Sequence, residues 1–350
     1  MKIALCSFYL PSIDKIGVGY QAHYMANALT ERGHRVVMFS PAPRCEDAVY
    51  EHRQIDAGRR FRLHGFASAM GRQDWSVFDV LHSHGEDHLV GRGRVQCHIR
   101  TVHGSCLQEA INIAGLKEKC RMLYIAGTEM LASVRADRVV AVSVNTTRTY
   151  PWIRRVIPNG VDLSAFHPGE KGATPTILFV GTYHNRKRGK WLMEVFDRVI
   201  RPKVPAAKLW MVCSDAPAAQ GVEVLGRLST GELAERYRRA WVFCLPSTYE
   251  GFGVPYIEAM ASGTAVVTTP NPGSTEVLEG GRWGTLASDA ALGDAIVRVL
   301  TDVDERQRLE ALGLERASRF GWDTIVAEYE AIYREIINGV TVNAPEVNPV

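Results

Sequence analysis

A chain of 350 residues, 46% hydrophobic and 23% charged, has the composition of a soluble globular protein and is long enough for two domains with separate cores. Its formal net charge of +3 is too small to argue for nucleic acid as a partner. The seven cysteines (Cys6, Cys45, Cys97, Cys106, Cys120, Cys213, Cys244) are odd in number and make no C-x-x-C pair, so their spacing supports neither a disulfide framework nor a zinc site. The N-terminus opens directly into a strand without a signal-peptide pattern, and no apolar run is long enough to span a bilayer. These features place the protein in the reducing cytoplasm and leave peripheral contact with the inner membrane face open.

The first half alternates strand and helix. Short apolar runs ending in turn residues predict strands over 2–7, 35–40, 78–83, 99–104 and 136–143. A helix is predicted from Gly17 to Arg32, stopped by Gly33, and a long helical segment from Leu107 to Val134. The stretch 156–175 carries three prolines and three glycines and reads as a linker. Beyond it the alternation restarts with strands over 176–181 and 208–213, the short run VEVLG, and helices from Gly189 and over 230–240. Helices fill 290–319 and 322–338, and the last residues have little periodicity, as expected of a mobile tail. Two βαβα halves predict an α/β architecture of two doubly wound parallel sheets, with ligands at the carboxyl ends of the strands.

Glu250 to Glu258 (EGFGVPYIE) lies between a strand-like run, WVFCLPST, and a helix-like run followed by a second strand, TAVVTT. Two acids therefore bracket a glycine loop where a strand ends and a helix begins. Backbone N–H groups at such a helix start attract anions, and the second acid, about two turns on, reaches across the same terminus. Amides for phosphate and carboxylates for hydroxyls suit a nucleotide sugar.

By its motifs the chain resembles the retaining glycosyltransferases of family 4, which have the GT-B fold. The resemblance covers nearly the whole length and rests on IGVGY followed by LTERGHRV, DVLHSHG, TVHG, ADRVVAVS, VIPNGVD, ILFVG with the basic RKRG, VLGRLS, PSTYEGFGVPYIEAMASGTAVV and RFGWD, in the family's order. It implies an acceptor-side domain over 1–165, a nucleotide-sugar domain over 166–321, a helix over 322–338 crossing back to the first domain, and a flexible tail over 339–350. It implies transfer of a hexosyl or related sugar from a nucleoside-diphosphate sugar to a hydroxyl acceptor (glycan, lipid or small metabolite), with retention and without a metal or other cofactor.

Residue by residue, the resemblance places Glu258 on the ribose hydroxyls and Glu250 at the donor sugar. The amides of Phe252, Gly253 and Val254 hold the sugar and diphosphate, and His103, ending a strand in TVHG, stands beside the scissile bond. Arg188 matches the family's phosphate-binding lysine, but Thr182 stands where the family usually has an arginine. Lys187 or Arg186 is expected to supply that charge. The amides of Gly17 and Gly19 are expected to meet the diphosphate or the acceptor.

Other constellations read more plainly. His82 and His84 share one strand face and are expected to be structural or to line the cleft. Asp302-Val303-Asp304 spells a metal-binding DxD, but its place between two helices predicts a cap. The basic, amphipathic stretch Ala57 to Arg72 is read as a solvated loop and helix, with membrane or acceptor docking as the alternative. Two competing functions keep the same fold: a nucleotide-sugar epimerase or hydrolase, and a non-catalytic sugar-nucleotide-binding subunit.

Overall fold

The computed structural model describes residues 1–12, 16–112 and 115–339; apart from Gly339, the tail expected to be mobile lies outside them. The chain forms two compact units, residues 1–160 with 322–350, and residues 161–321. In chain order the first contains β1 (Lys2–Cys6), α1 (Gly17–Glu31), β2 (Arg35–Ser40), β3 (Glu51–Gln54), α2 (Arg62–Arg72), β4 (Val80–Ser83), β5 (Cys97–Val102), α3 (Cys106–Asn112), α4 (Leu116–Arg135), β6 (Arg138–Ala141), α5 (Val144–Thr149) and β7 (Arg155–Val156). The second contains β8 (Thr176–Val180), α6 (Gly189–Val195), α7 (Arg201–Lys203), β9 (Lys208–Val212), β10 (Val222–Val224), α8 (Thr230–Arg239), β11 (Val242–Phe243), α9 (Val254–Ala261), β12 (Ala265–Thr268), α10 (Pro272–Val277), β13 (Thr285–Leu286), α11 (Leu292–Thr301) and α12 (Val303–Ala317). The last helix, α13 (Trp322–Ile337), belongs to the first unit.

Among the described residues each unit holds one all-parallel sheet. The first runs β3-β2-β1-β4-β5-β6-β7 and the second β10-β9-β8-β11-β12-β13. A parallel sheet is covered on both faces, so its strands are apolar throughout rather than alternating. Ile177, Leu178 and Phe179 of β8 are accordingly all fully buried. Both sheets reverse strand order beside their first strand, β1 in one unit and β8 in the other. That places the loops after β1, β4, β8 and β11 at switch points, where such sheets bind ligands.

Three departures from the sequence reading have local causes. The long helix over 107–134 is two helices, α3 and α4, with Gly115 at φ +118° just before the second. The edge strands β3, β7 and β13 escape the pattern because they are short and half-exposed or exposed, so no buried run marks them. Within the stretch 57–72, residues 57–61 are loop and Arg62–Arg72 form α2, whose Phe66 and Met70 are fully buried in the first unit's core, so the helix's apolar face is occupied by the fold. Asp302 is the N-cap of α12, its carboxylate accepting from the Glu305 N–H at 3.0 Å.

Helix α13 is anchored in the first unit by both apolar and charged contacts. Ile325, Val326, Tyr329, Ile332 and Tyr333 join a core with β1, β2, β4 and α1. Glu330, 3% exposed, accepts two hydrogen bonds from Arg32 at 2.9 and 3.1 Å and sits 2.9 Å from His34 Nε2. The Arg32 hydrogen bonds outweigh burial and hold the Glu330 carboxyl down at about 2. All seven cysteines are free thiols, and Cys6, Cys213 and Cys244 are buried. Among the described residues no helix is long and apolar enough to cross a membrane.

Candidate active site

In the second unit the chain leaves β11, runs through Ser247 to Gly253, and starts α9. Gly253 is the N-cap of that helix at φ +106°, and a Cβ there would stand 2.5 Å from the Tyr256 ring, so both backbone and space demand glycine. Gly273 in the first turn of α10 is confined differently: a Cβ would meet the Phe252 carbonyl at 2.5 Å and Glu250 Cβ at 2.8 Å. The α10 backbone thus closes directly over the Glu250 loop. A buried polar network holds the loop from below. Tyr256 Oη donates to the Leu245 carbonyl at 2.9 Å, and Asn271 Nδ2 donates to the Ser247 carbonyl at 3.2 Å and to Tyr256 Oη at 3.1 Å.

Glu250 is 6% exposed and doubly paired. Lys187 Nζ lies 2.7 Å and Arg186 Nη1 3.0 Å from its Oε1, and Arg186 Nη1 also donates to the Tyr249 carbonyl at 2.7 Å. Burial would raise the Glu250 carboxyl, but the two cations prevail and hold it below the usual range. Burial lowers the Lys187 ammonium, and Glu250 opposes that shift. Glu258, half-buried on α9, accepts from Tyr237 Oη at 3.0 Å; burial pushes its carboxyl up to about 7 despite that hydrogen bond.

Arg188 goes elsewhere. It is left-handed at φ +57°, pairs bidentately with Asp289 at 2.9 and 2.7 Å, and stacks 3.8 Å over Trp191. Thr182 Oγ1 closes its own turn by donating to the His184 carbonyl at 2.9 Å. The structure therefore gathers Glu250, Phe252, Gly253, Val254 and Glu258 on one loop and helix, with Lys187 reaching Glu250 from the turn after β8. It adds Arg186 and Tyr237 and ties Arg188 to Asp289. Arg186 was legible only as one of three adjacent cations. Tyr237 carried no signal, because a tyrosine on an amphipathic helix usually reads as core.

In the first unit, three imidazoles stack at the ends of β4 and β5. The His82 and His84 rings are 4.7 Å apart, and those of His84 and His103 are 5.1 Å apart. His82 is structural: its Nδ1 meets Tyr333 Oη at 2.6 Å and its Nε2 meets Thr101 Oγ1 at 2.7 Å, linking β4 and β5 to α13. His84 Nδ1 contacts His103 Nε2 at 2.8 Å, while Asn159 also bonds His103. Burial depresses the rings, His82 to about 3 and His103 to about 4, with His84 well below its usual value, so all three are neutral at pH 7. Gly17 is the exposed first residue of α1, whereas the Gly19 amide is already spent on the Ile16 carbonyl at 3.0 Å and is not free for a ligand.

Two parallel-sheet Rossmann-like units with these loops at their strand ends make an α/β protein of the GT-B type. The family description "Glycosyltransferase Family 4" matches residues 16–165, and "Glycosyl transferases group 1" matches residues 174–302. The chain belongs to glycosyltransferase family 4. It is 30% identical over 203 residues to a phosphatidyl-myo-inositol mannosyltransferase of Mycobacterium tuberculosis, a match covering 51% of this chain and 53% of that protein. The chain thus spans about half the length of the first curated relatives it matches. Among solved structures, a sucrose-phosphate synthase from Thermosynechococcus elongatus shares the fold at a TM-score of 0.79 and 23% identity, over 97% of this chain and 99% of that one. Anabaena Alr3699/HepE in complex with UDP-glucose does so at 0.73 and 16% identity, over 95% and 100%.

Proposed function

We propose that the protein is a retaining glycosyltransferase that moves a sugar from a nucleoside-diphosphate sugar to a hydroxyl acceptor without a catalytic metal. The observation that carries this reading is the convergence of Lys187 and Arg186 on the buried Glu250 at the start of α9, with Glu258 on that same helix. Two cations and the α9 N-terminus supply the positive charge that a departing diphosphate requires. Glu250 and Glu258 offer acceptors for sugar and ribose hydroxyls. The UDP-glucose bound to Anabaena Alr3699/HepE and the mannosyl transfer named for the mycobacterial relative support a nucleotide-sugar donor.

In this reaction the anomeric C–O bond to the diphosphate breaks and the acceptor oxygen bonds the same carbon from the same face. The acceptor's proton passes to a phosphate oxygen of the leaving group. Glu250 positions the sugar and stabilises its developing positive charge; its pairing with Lys187 and Arg186 keeps it ionised for that task. His103 and Gly17 belong to the acceptor-side unit, and His84 sets the orientation of the His103 ring.

The acceptor-side unit also carries features suited to the cytoplasmic face of an anionic membrane. On α4, Leu116, Leu123, Tyr124, Met130, Leu131 and Val134 are all exposed at helical spacing. Lys117, Lys119 and Arg121 flank them, Phe61 is 86% exposed beside Arg59, Arg60 and Arg62, and Tyr124 Oη reaches His64 of α2 at 3.4 Å. An apolar stripe with basic flanks partitions into a headgroup layer.

The deciding experiment is a thermal-shift panel with UDP-, GDP-, ADP- and dTDP-sugars, followed by nucleotide release with and without acceptors. One base class should stabilise strongly by mass action, and release should require an acceptor. No stabilisation by any donor defeats the reading; release without acceptor favours a hydrolase.

A further inference from the structure

Away from the proposed donor site, α1 and the loop joining β2 to β3 bring together three side chains that no feature of the sequence spacing connects. These are His23, Cys45 and Asp47, and one ligand atom from each lies within 4.8 Å of the other two. His23 is 1% and Cys45 5% exposed, while the Asp47 side chain is 68% exposed. His23 Nε2 stands 3.2 Å from Asp47 Oδ1. Tetrahedral zinc with bonds of roughly 2.0–2.3 Å sets nitrogen and oxygen ligands ~3.3 Å apart and sulfur ~3.6 Å from either, so the His–Asp pair already has ligand spacing.

The surroundings fit the same use. The other ring nitrogen of His23, Nδ1, is held by Tyr50 Oη at 2.8 Å, and Tyr50 is 2% exposed. A second-sphere partner on the free nitrogen is the usual way a metal-binding histidine is oriented. Asn27, one turn after His23, grips the ligand loop twice: its Nδ2 donates to the Asp47 carbonyl at 3.2 Å and its Oδ1 accepts from the Val49 N–H at 3.0 Å. The loop with two ligands is therefore fastened to the helix with the third before any ion arrives.

We propose that His23, Cys45 and Asp47 form a zinc(II) site, with a water as the fourth ligand, that staples α1 to the β2–β3 loop. One imidazole, one thiolate and one carboxylate select zinc over magnesium or calcium, which prefer oxygen ligands at higher coordination number. Binding releases the Cys45 thiol proton to solvent and changes no oxidation state. The staple is structural and stands apart from sugar transfer.

The test uses the full-length chain, stripped with chelator and titrated with cobalt(II). A near-ultraviolet thiolate-to-cobalt charge-transfer band and the visible bands of tetrahedral cobalt should saturate at one equivalent, be displaced by one equivalent of zinc, and accompany a rise in Tm. Cys45→Ser should abolish the charge-transfer band. Asp47→Asn, at an exposed carboxylate with little bearing on folding, should weaken zinc binding at least about 10-fold, and Tyr50→Phe about 10–100-fold. Absence of the thiolate band in the wild type, or zinc affinity in Asp47→Asn equal to wild type, would overturn the proposal and leave His23–Asp47 as a simple ion pair.

Discussion

Lys187 Nζ lies 2.7 Å from Glu250 Oε1, and Arg186 Nη1 joins the same oxygen at 3.0 Å. On the proposed function, the carboxylate that faces the sugar is held ionised in a buried position by the two cations proposed to meet the phosphates. On the same proposal, an entering diphosphate is expected to share Lys187 and Arg186 and to free Glu250 Oε1 toward the sugar.

Glu250→Gln should therefore reduce kcat by about 10²-fold or more, the usual scale for one transition-state electrostatic contact, with donor affinity changed only a few-fold. Lys187→Ala should weaken donor binding as well as turnover. Steady-state kinetics and calorimetric nucleotide binding on both variants separate the two effects. Near-normal kcat in Glu250→Gln contradicts the assignment.

Glu258 supplies a pH signature. Burial raises its carboxyl to about 7, so it is largely protonated below neutrality, whereas two ribose hydroxyls are best bound by the carboxylate. Nucleoside-diphosphate affinity should rise with pH through about 7. Tyr237→Phe removes the hydrogen bond that favours the ionised form, so the midpoint should move upward. A flat affinity profile from pH 6 to 8 by calorimetry would remove Glu258 from the ribose.

The 2.8 Å contact with His103 makes His84 its proposed positioning residue. His84→Phe keeps the stack and loses the hydrogen bond, and should lower kcat by roughly 10-fold with donor affinity retained, a scale below that of direct acid–base or oxyanion contacts. His84→Gln, which restores a polar partner, should recover part of that loss. His82→Phe should instead lower Tm through its lost bonds to Tyr333 and Thr101.

Acid stability should depend on Glu330. Its folded pKa of about 2 lies below the ordinary carboxyl value, so its contribution is fully present above about pH 4.5 and fades as pH falls toward 2. Arg32 is one-third exposed, which screens the pair, and Glu330→Gln should cost about 1–3 kcal/mol at pH 7. Denaturant melts at pH 7 and pH 3 should show the gap between wild type and variant narrowing at the lower pH.

The exposed apolar stripe of α4 predicts co-sedimentation with vesicles containing anionic phospholipid, weakened by salt. Leu116→Glu together with Leu123→Glu should abolish it while leaving Tm and nucleotide binding intact. Equal binding to neutral vesicles would show that the basic flanks play no part.

By itself the sequence determined the α/β class, the two-sheet architecture and the glycine loop between Glu250 and Glu258, because parallel strands are uniformly apolar and tight loops need glycine. Local pattern also placed the Asp302 cap. Only the tertiary structure decided among three adjacent cations. Asn185 and Arg188 both take left-handed backbone, and the tight turn between them sends Arg186 and Lys187 to Glu250 while Arg188 is drawn to Asp289, 101 residues away. His82 and His84 are indistinguishable as a strand alternation, yet one docks α13 and the other holds His103, because their partners come from different elements. The meeting of His23 with Cys45 and Asp47 likewise depends on α1 lying against the loop after β2. Such pairings are set by where distant segments pack, and spacing along the chain carries no record of them.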